Sequence, residues 1–252
     1  MKRWVRGSVG RSVGKGTTAL ALISSAAAAV GFVTAARPTD PPTHRHTSPA
    51  SPAMTIARLQ YDGGGDWYAN PSSLPNLLAA IRERTALKVE RTEARVKLTD
   101  DQLWDYSFLH VTGHGNIKLS DLEVTRLREY LLRGGFLHVS DNYGIDESFR
   151  REIARVFPDR QLVDVPLAHP VYHVVYDFPK GLPKIHEHDG KPARGFGIFV
   201  GDRLAVFYDY ECDLGNGWED TEVYNDPPAL HEAALRMGVN LFVYATTSRV
   251  TP

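Results

Sequence analysis

One stretch in the middle of the chain constrains the fold more than any other. It runs from Leu103 to Asp141 and has the pattern strand, loop, helix, turn, strand. The apolar runs 108–111 and 136–139 supply the two strands, and the helix lies between them. Such β–α–β units are right-handed and have parallel strands. The chain is therefore predicted to contain a parallel sheet.

The helix of this unit has clear boundaries in the sequence. Ser120 followed by Glu123 forms a capping box, which predicts the start of the helix. Gly134-Gly135 predicts its end, because the turn after a helix favours a residue with positive φ. Helical spacing predicts one apolar face, made of Leu122, Leu127, Tyr130 and Leu131.

The remaining segments complete an α/β pattern. Further helices are predicted at 74–83, 147–157 and 229–246, and a short one after Thr99. Further strands are predicted at 57–61, 87–91, 162–165, 171–178, 196–200 and 204–208. Gly201-Asp202-Arg203 separates the last two strands, which predicts a hairpin. The expected fold is a three-layer sandwich with a mostly parallel mixed sheet and a C-terminal β-hairpin.

The first 53 residues differ in composition from the rest. Residues 1–36 combine a basic start with an uncharged run at 17–36, which predicts a signal peptide or an N-terminal membrane anchor. Residues 37–53 are rich in Pro, Thr and Ser and predict a linker. Residues 54–249 are then a single α/β domain. The expected location is extracytoplasmic, periplasmic or secreted, with inner-membrane anchoring through 17–36 as the alternative.

Charge and cysteine content exclude some functions. Removal of residues 1–36 takes away 5 positive charges and no negative ones, which moves the formal charge from −1 to −6. An acidic domain argues against nucleic acid as a partner. Cys212 is the only cysteine, so no intramolecular disulfide is expected, and burial of the thiol is favoured over reactivity. The sequence requires no cofactor, and the membrane is a partner only through the N-terminal segment.

Polar loops follow the two strands of the central unit. One contains Gly113, His114 and Gly115, and the other contains Asp141 and Asn142. The carboxyl ends of parallel strands meet at one edge of a sheet, where open α/β folds bind their ligands. The complete set of predicted ligand-binding residues also takes in the glycine-rich loop after the first strand and a histidine segment: Asp66, Trp67, Tyr68, Gly113, His114, Gly115, Asp141, Asn142, His169 and Tyr172.

Three of these residues are candidates for catalysis or metal binding. His114, Asp141 and His169 combine residue types that serve as acid, base or zinc ligand. His173 lies about 13 Å from His169 if the segment is a strand, so a structural role is expected for it. His186 and His188 lie in a polar loop and are expected to be solvated. A Ser-His-Asp arrangement of Ser140, His114 or His169, and Asp141 is disfavoured, because the adjacent Ser140 and Asp141 would point to opposite faces of the sheet.

A family resemblance follows from a series of motifs taken in order. These are GGGDWY at 63–68, TGHG at 112–115, LRGGF at 132–136, AHPVYH at 168–173 and LRMGVNLFVYA at 235–245. Together they resemble the bacterial domain of unknown function 4159 family over nearly all of 55–246. That resemblance implies a class I glutamine amidotransferase-like (flavodoxin-like) fold and export or membrane attachment. Where amidotransferases carry a nucleophilic cysteine, this chain has Ser140-Asp141-Asn142, so thiol-dependent amidotransferase chemistry is not expected.

Three functions remain as hypotheses. The first is a domain with little or no catalysis that binds a small polar ligand, a glycan or an envelope protein at the sheet edge. The second is a metal-assisted or acid/base hydrolase using His114, Asp141 and His169, which requires these side chains to converge within about 4–5 Å. The third is an envelope scaffold, which would expose a broad apolar patch.

Overall fold

Seven strands form one sheet in the order β2-β1-β3-β4-β7-β6-β5. The computed structural model describes residues 54–248. The strands are β1 Ala57–Gln60, β2 Ala94–Lys97, β3 Phe108–Val111, β4 Phe136–Ser140, β5 Val163–Asp164, β6 Arg194–Val200 and β7 Arg203–Tyr210. The strands β2, β1, β3, β4 and β7, which are neighbours in this order, are parallel. Strand β6 is antiparallel to β7, and β5 is antiparallel to β6. This confirms the mostly parallel mixed sheet and the C-terminal hairpin.

Helices cover both faces of the sheet, which gives three layers. They are α1 Ser73–Arg84, α2 Asp121–Leu132, α3 Asp146–Val156, α4 Leu214–Gly217, α5 Thr221–Tyr224 and α6 Pro228–Thr247, with 3₁₀ turns at Asp101–Asp105 and Pro170–Tyr172. Helices α1 and α6 pack together on one face, and α2 and α3 on the other. Within these residues, no helix combines the length and the apolar character needed to cross a membrane. The predicted segments 1–36 and 37–53 lie outside the described residues.

Alternation along the central strands explains why the sheet is buried on both faces. In β3, Phe108 faces the α1/α6 layer and Leu109 faces the α2/α3 layer. In β4, Phe136 and Leu137 repeat this arrangement. Strands with apolar residues on both sides are stable only between two helical layers. The apolar runs that marked these strands in the sequence therefore also required the sandwich.

The capping box at the start of α2 is confirmed, but one member of its predicted apolar face is wrong. Ser120 Oγ accepts from the Glu123 amide, and the Glu123 carboxylate accepts from the Ser120 amide at 2.8 Å. Leu127 is buried, whereas Leu122 is 58% exposed. Leu122 lies in the first turn on the side that faces solvent, whereas the neighbouring Glu123 is buried.

Two predicted strands are wrong. Residues 87–91 make only an isolated bridge, between Val89 and Met54, and β2 begins at Ala94 instead. Residues 171–178 form a 3₁₀ turn and bends, because a side chain of α6 replaces a neighbouring strand. The buried Asn240 Oδ1 accepts from the amide of Tyr176 at 2.8 Å, and its Nδ2 donates to the carbonyl of the same residue. Alternating sequence without a free neighbouring strand cannot form a β-ladder.

A pair of buried histidines lies side by side in the centre of the sheet. His110 of β3 and His138 of β4 are fully buried, and their Nδ1 atoms are 3.0 Å apart. Both rings contact Trp218. Burial, with His138 and Arg58 nearby, holds the pKa of His110 well below its usual value. A proton on this ring would have to be buried without a counter-ion, so the native state keeps His110 neutral.

This burial predicts a loss of stability in mild acid. The unfolded chain binds a proton at His110 below about pH 6.5 and the native state does not, so the free energy of unfolding falls as the pH drops below that value. Between about pH 7 and pH 5.5 the contribution of one such group is about 1 kcal/mol. We expect His110→Gln to reduce the pH-dependent loss by about this amount in urea unfolding. His231→Gln, at a partly exposed histidine of α6, is the control, and an equal reduction in both variants would contradict the assignment.

Candidate functional site

The loops at the carboxyl ends of the parallel strands carry the backbone strain of this fold. In residues 54–248, four of the five non-glycine residues with positive φ lie in loops that follow β1, β4 and β7, and the fifth, Asn225, ends α5. The five are Asn70, Tyr143, Glu211, Asp213 and Asn225. Such conformations are unfavourable for residues with a side chain, and they concentrate at functional sites. The strained residues therefore lie at the carboxyl edge of the parallel strands, where α/β sheets bind ligands.

Asp141 lies at the end of β4 and joins it to β7. Its amide donates to Asp209 Oδ1 at 2.8 Å, and its Oδ2 accepts from the amide of Glu211 at 2.9 Å. Asp141 is only 2% exposed. Among the described residues no group donates to its second oxygen, Oδ1. The predicted site residue is therefore fixed by its backbone and retains one carboxylate oxygen for another partner.

Two histidines and three aspartates alternate in a chain that begins at Asp141. His188 Nδ1 is 3.7 Å from Asp141 Oδ2, and its Nε2 is 3.1 Å from Asp213 Oδ2. His186 continues the chain, with Nδ1 3.0 Å from Asp213 Oδ2 and Nε2 3.0 Å from Asp226 Oδ1. Each imidazole thus lies between two carboxylates. The expectation that both histidines are solvated is wrong.

The carboxylates favour the protonated forms of these imidazoles. Burial opposes the charge of His188, but the nearby carboxylate of Asp141 and the hydrogen bond to Asp213 outweigh it and raise the pKa of His188 to about 10. The hydrogen bond to Asp213 raises the pKa of His186 against a smaller opposing effect of burial, and Asp226 adds to the rise. Near neutral pH the His188 ring is therefore a cation, and its Nε2 donates to Asp213.

A pocket of about 330 Å³ opens beside this chain at the ends of β4 and β7. Its lining is mixed, with carboxylates, two cationic side chains, two tyrosines and a glycine. They are Asp141, Tyr143, Gly144, Asp146, Glu147, His188, Asp189, Lys191, Tyr210 and Glu211. Glu211 binds Lys184 at 2.8 Å, and Lys191 Nζ donates to the Tyr210 hydroxyl at 2.9 Å. Much of the charge in the lining is thereby paired within the protein.

The glycine loop after β3 forms a second feature of the same edge. The Nδ1 of His114 lies 3.1 Å from Asp66 Oδ2, and the ring is half exposed. Gly113 has φ +128°, and a Cβ there would lie 2.4 Å from the Tyr61 hydroxyl, so only glycine fits. A Cβ on Gly144 would lie 3.9 Å from the Gly115 amide, so this loop borders the pocket.

The aromatic residues of the first loop lie apart from the pocket lining. Trp67 is partly buried and packs against the α2/α3 side of the core, and Tyr68 is 63% exposed. Their rings meet edge to face at 5.5 Å. The pocket has Tyr143 and Tyr210 as its aromatic walls instead.

The structure does not bring His169 to this edge. The ring of His169 packs against Phe199 and Tyr244, and the Tyr244 hydroxyl accepts from the amide of Leu204 at the start of β7. The pocket lies at the other end of that strand, about 20 Å away at 3.3 Å per residue. Tyr172 is buried against Phe207 within the sheet face.

Other predicted features take structural roles. His173 binds Asp177 and the carbonyl of Leu167, as its expected structural role implies. Residues 54–248 contain no group of three or more His, Cys, Asp or Glu side chains placed to hold a metal ion. The set His114, Asp141 and His169 therefore does not form a metal site.

Neither Ser140 nor Cys212 is placed as a nucleophile. Ser140 is buried, and its hydroxyl accepts from the Gly215 amide at 2.8 Å and donates to Asp209. Cys212 is fully buried and donates to the carbonyl of Pro183. Burial raises the pKa of this thiol well above its usual value, so a thiolate is disfavoured.

The site residues missed in the sequence lie on either side of the hairpin. Glu211 and Asp213 follow β7, which lies parallel to β4, and His186 and His188 precede β6. Because β6 runs antiparallel to β7, its amino end lies at the carboxyl end of β7, as the pairing of Arg194 with Tyr210 shows. The signal in the sequence that could have identified these residues was the presence of polar residues on both sides of the predicted hairpin. The direction of the hairpin relative to β4 was needed to interpret it.

A comparison with known families agrees with the fold and the motif order. The model of the family described as Domain of unknown function (DUF4159) matches residues 55–246. The chain belongs to this family. The match spans all seven strands and includes every residue of the pocket. No curated protein matches the chain.

The alternating chain predicts a stability that depends on the charge of His188. Because the pKa of His188 is higher in the folded state than its value near 6.5 in the unfolded chain, this stabilisation is complete below about pH 6.5 and is lost as the pH rises through 10. We expect His188→Gln to lower the melting temperature at pH 6 by about 3 °C or more, the shift that about 1 kcal/mol gives in a domain of this size. At pH 10 the difference from wild type should shrink. An unchanged difference at both pH values would show that packing, and not charge, is lost.

Proposed function

We propose that this protein binds a small, polar, hydroxyl-rich ligand, such as a glycan unit, at the carboxyl edge of its sheet. The observation that carries the proposal is the pocket in which a buried carboxylate with one unused oxygen, Asp141, faces two tyrosines. Pockets with a few fixed polar groups and aromatic walls are typical of small-molecule sites. The family assignment supports the fold and supplies no activity.

The charge pattern of the pocket favours a neutral polar ligand. Glu211 is paired with Lys184, and Asp146 is paired with Arg150 at 2.6 Å. Protonated His188 lies beside Asp141. Of the five carboxylates in the lining, Glu147 alone has no ion pair among the described residues. Hydroxyl groups suit the remaining polar atoms because they both donate and accept. A strongly charged ligand would have to break existing ion pairs.

The tyrosines favour a ring with an apolar face. Tyr143 is 57% exposed and contacts the His188 ring edge to face at 5.5 Å. Tyr210 lies across the same pocket at the end of β7. Sugar rings present C–H groups on their faces and hydroxyls at their rims, so they suit a site with aromatic walls and a polar floor.

Two further parts of the proposal concern chemistry and location. The buried thiol of Cys212, held by the Pro183 carbonyl, supports a function without thiol-dependent amide transfer. The basic start and uncharged run of residues 1–36 support export or membrane anchoring, so the ligand would be met outside the cytoplasm. An envelope scaffold is the alternative for a protein in that place.

Substitution of Tyr143 tests the proposal. In calorimetric titration of the full-length chain with N-acetylglucosamine and with glucose, we expect Tyr143→Ala to weaken binding about tenfold, equivalent to about 1.4 kcal/mol. Tyr68→Ala is the matched control, since Tyr68 is equally exposed on the same edge and does not line the pocket. Equal affinities for wild type and Tyr143→Ala, or no heat from either sugar, would count against a glycan site here.

The Asp66–His114 pair supports acid–base hydrolysis as a second candidate. Asp66 accepts from Nδ1 of His114, which leaves Nε2 of a half-exposed ring as the proton acceptor. An imidazole oriented in this way can take a proton from water, as in hydrolases with an Asp–His pair. This candidate uses His114 without His169.

Ester hydrolysis provides the check for this candidate. With 4-nitrophenyl acetate as the probe, we expect His114→Gln to lose most of the hydrolytic rate above background, and Asp66→Asn to lower it about tenfold or more because the imidazole loses its orientation. His231→Gln should keep the wild-type rate. A rate that falls equally in His114→Gln and His231→Gln would show only the general reactivity of exposed histidines.

A further inference from the structure

A row of buried polar side chains extends inward from the pocket toward the point where the strand order reverses. This point lies between β1 and β3, because β2 pairs on the outer side of β1. Loops separate at such points, and open α/β sheets bind ligands there. In this protein the row consists of Asn70, Thr112, Asn142, Asn216 and Asp213, each at most 5% exposed. We call these five residues the polar row.

Hydrogen bonds connect the members of the polar row one to the next. Asn70 Nδ2 donates to Thr112 Oγ1 at 3.3 Å, and Thr112 Oγ1 donates to Asn142 Oδ1 at 3.2 Å. Asn142 Nδ2 donates to Asn216 Oδ1 at 3.0 Å, and Asn216 Nδ2 donates to Asp213 Oδ2 at 2.7 Å. Three of these four bonds are 3.0 Å or longer, so they are not the tightest bonds that such groups make. Hydroxyl groups of a ligand are able to replace them, since amides and hydroxyls both donate and accept.

One atom of the polar row has no partner. Asp213 is 2% exposed, and its Oδ1 accepts no hydrogen bond from any described residue. A buried carboxylate oxygen without a donor is unfavourable by about 1–3 kcal/mol, and native proteins rarely retain one without a reason. Asp213 also has φ +68°, a second unfavourable feature at the same residue. A donor from a ligand would relieve the first of these.

A short exposed segment covers the polar row. Residues 221–226 contain α5, none of whose residues is buried. Tyr224 donates to Asn70 Oδ1 at 3.2 Å, and Asp226 binds His186 Nε2 at 3.0 Å. The ring of Tyr224 contacts that of His186 at 4.9 Å. Side chains of the polar row and of the histidine chain thus hold this segment down.

Both ends of the covering segment 221–226 are fixed by contacts with the rest of the protein. Before it, Asp220 is bound by Ser72 Oγ and by Asn76 Nδ2. After it, Pro227 and Pro228 begin α6. Within it, Asn225 has φ +56°, a conformation that releases strain when the backbone changes. Motion is therefore limited to the residues between Asp220 and Pro227.

We propose that the polar row is a second, covered part of the ligand site, that it binds a neutral, hydroxyl-rich ring, and that residues 221–226 form its lid. The proposal rests on the proposed function, because it extends the same ligand inward from the pocket. His188 connects the two parts, since it lines the pocket and contacts Asp213. The lid opens when the contacts of Asp226 with His186 and of Tyr224 with Asn70 break.

Hydrogen exchange of the full-length chain tests the lid without any ligand. We expect Asp226→Asn, which removes the charge that binds His186, to raise deuterium uptake in 221–226 about fivefold or more, and Tyr224→Phe to act in the same direction. Glu222→Gln is the matched control, because it removes a charge from the same segment at a residue that binds no other described side chain. Uptake that is the same in Asp226→Asn and in wild type would overturn the lid.

Addition of N-acetylglucosamine to the same variants tests the covered site. In Asp226→Asn we expect the sugar to slow exchange at residues 112–116 and 142–145. We also expect it to bind more tightly than to wild type, because fewer molecules then have the closed lid that prevents binding. Faster lid exchange with no protection of these amides would overturn the covered site and leave 221–226 a mobile loop. The pocket is tested by the loss of sugar binding in Tyr143→Ala, and the covered site is tested by amide protection in Asp226→Asn. The two proposals therefore fail separately.

Discussion

A single buried carboxylate, that of Asp209, holds together the edge of the sheet on which every proposed site depends. Its Oδ1 accepts from the amide of Asp141, and its Oδ2 accepts from the amide of Leu214 at 3.0 Å and from the Ser140 hydroxyl. It thereby fixes both the turn after β4 and the turn after β7. Burial raises the pKa of Asp209, while His138 and the Asp141 amide oppose this effect. Hydrogen bonds to backbone amides explain how a fully buried acid is accommodated here.

Beyond Asp209, carboxylates and imidazoles alternate toward the surface. Asp141 and Asp213 are placed by the two turns. The ring of His188 lies between them, and the ring of His186 lies beyond Asp213. An ion pair that is this little exposed is stable only when its geometry is good and its remaining hydrogen bonds are satisfied. The unsatisfied Oδ1 of Asp213 is the exception, and it belongs to the residue that joins the histidine chain to the polar row. The same electrostatic chain therefore links the architecture, the pocket and the covering segment.

The strands show how far local pattern specifies this fold. Phe108–Val111 and Phe136–Val139 were predictable as strands, because a short apolar run bounded by turns and by a capped helix is typical of a buried strand. Residues 171–178 have an equally strand-like pattern, but Asn240 binds their backbone and no strand is free to pair with them. The error at 87–91 has the same origin, since β2 at Ala94–Lys97 takes the pairing position beside β1. Pattern predicts the tendency to form a strand, and the neighbouring chain decides whether the strand exists.

The sequence by itself determined the class of fold and the mostly parallel sheet, because these follow from local periodicity and the handedness of β–α–β units. It predicted the carboxyl edge of that sheet as the place of a candidate site. It also predicted Asp141 as a candidate site residue, since position after a parallel strand is a local property. The tertiary structure decided the partners of Asp141. His188 and Asp213 are distant in sequence from it and reach it only because β7 lies beside β4 and β6 returns antiparallel. For the same reason His169 lies at the far end of β7, although its sequence suggested a place in the site.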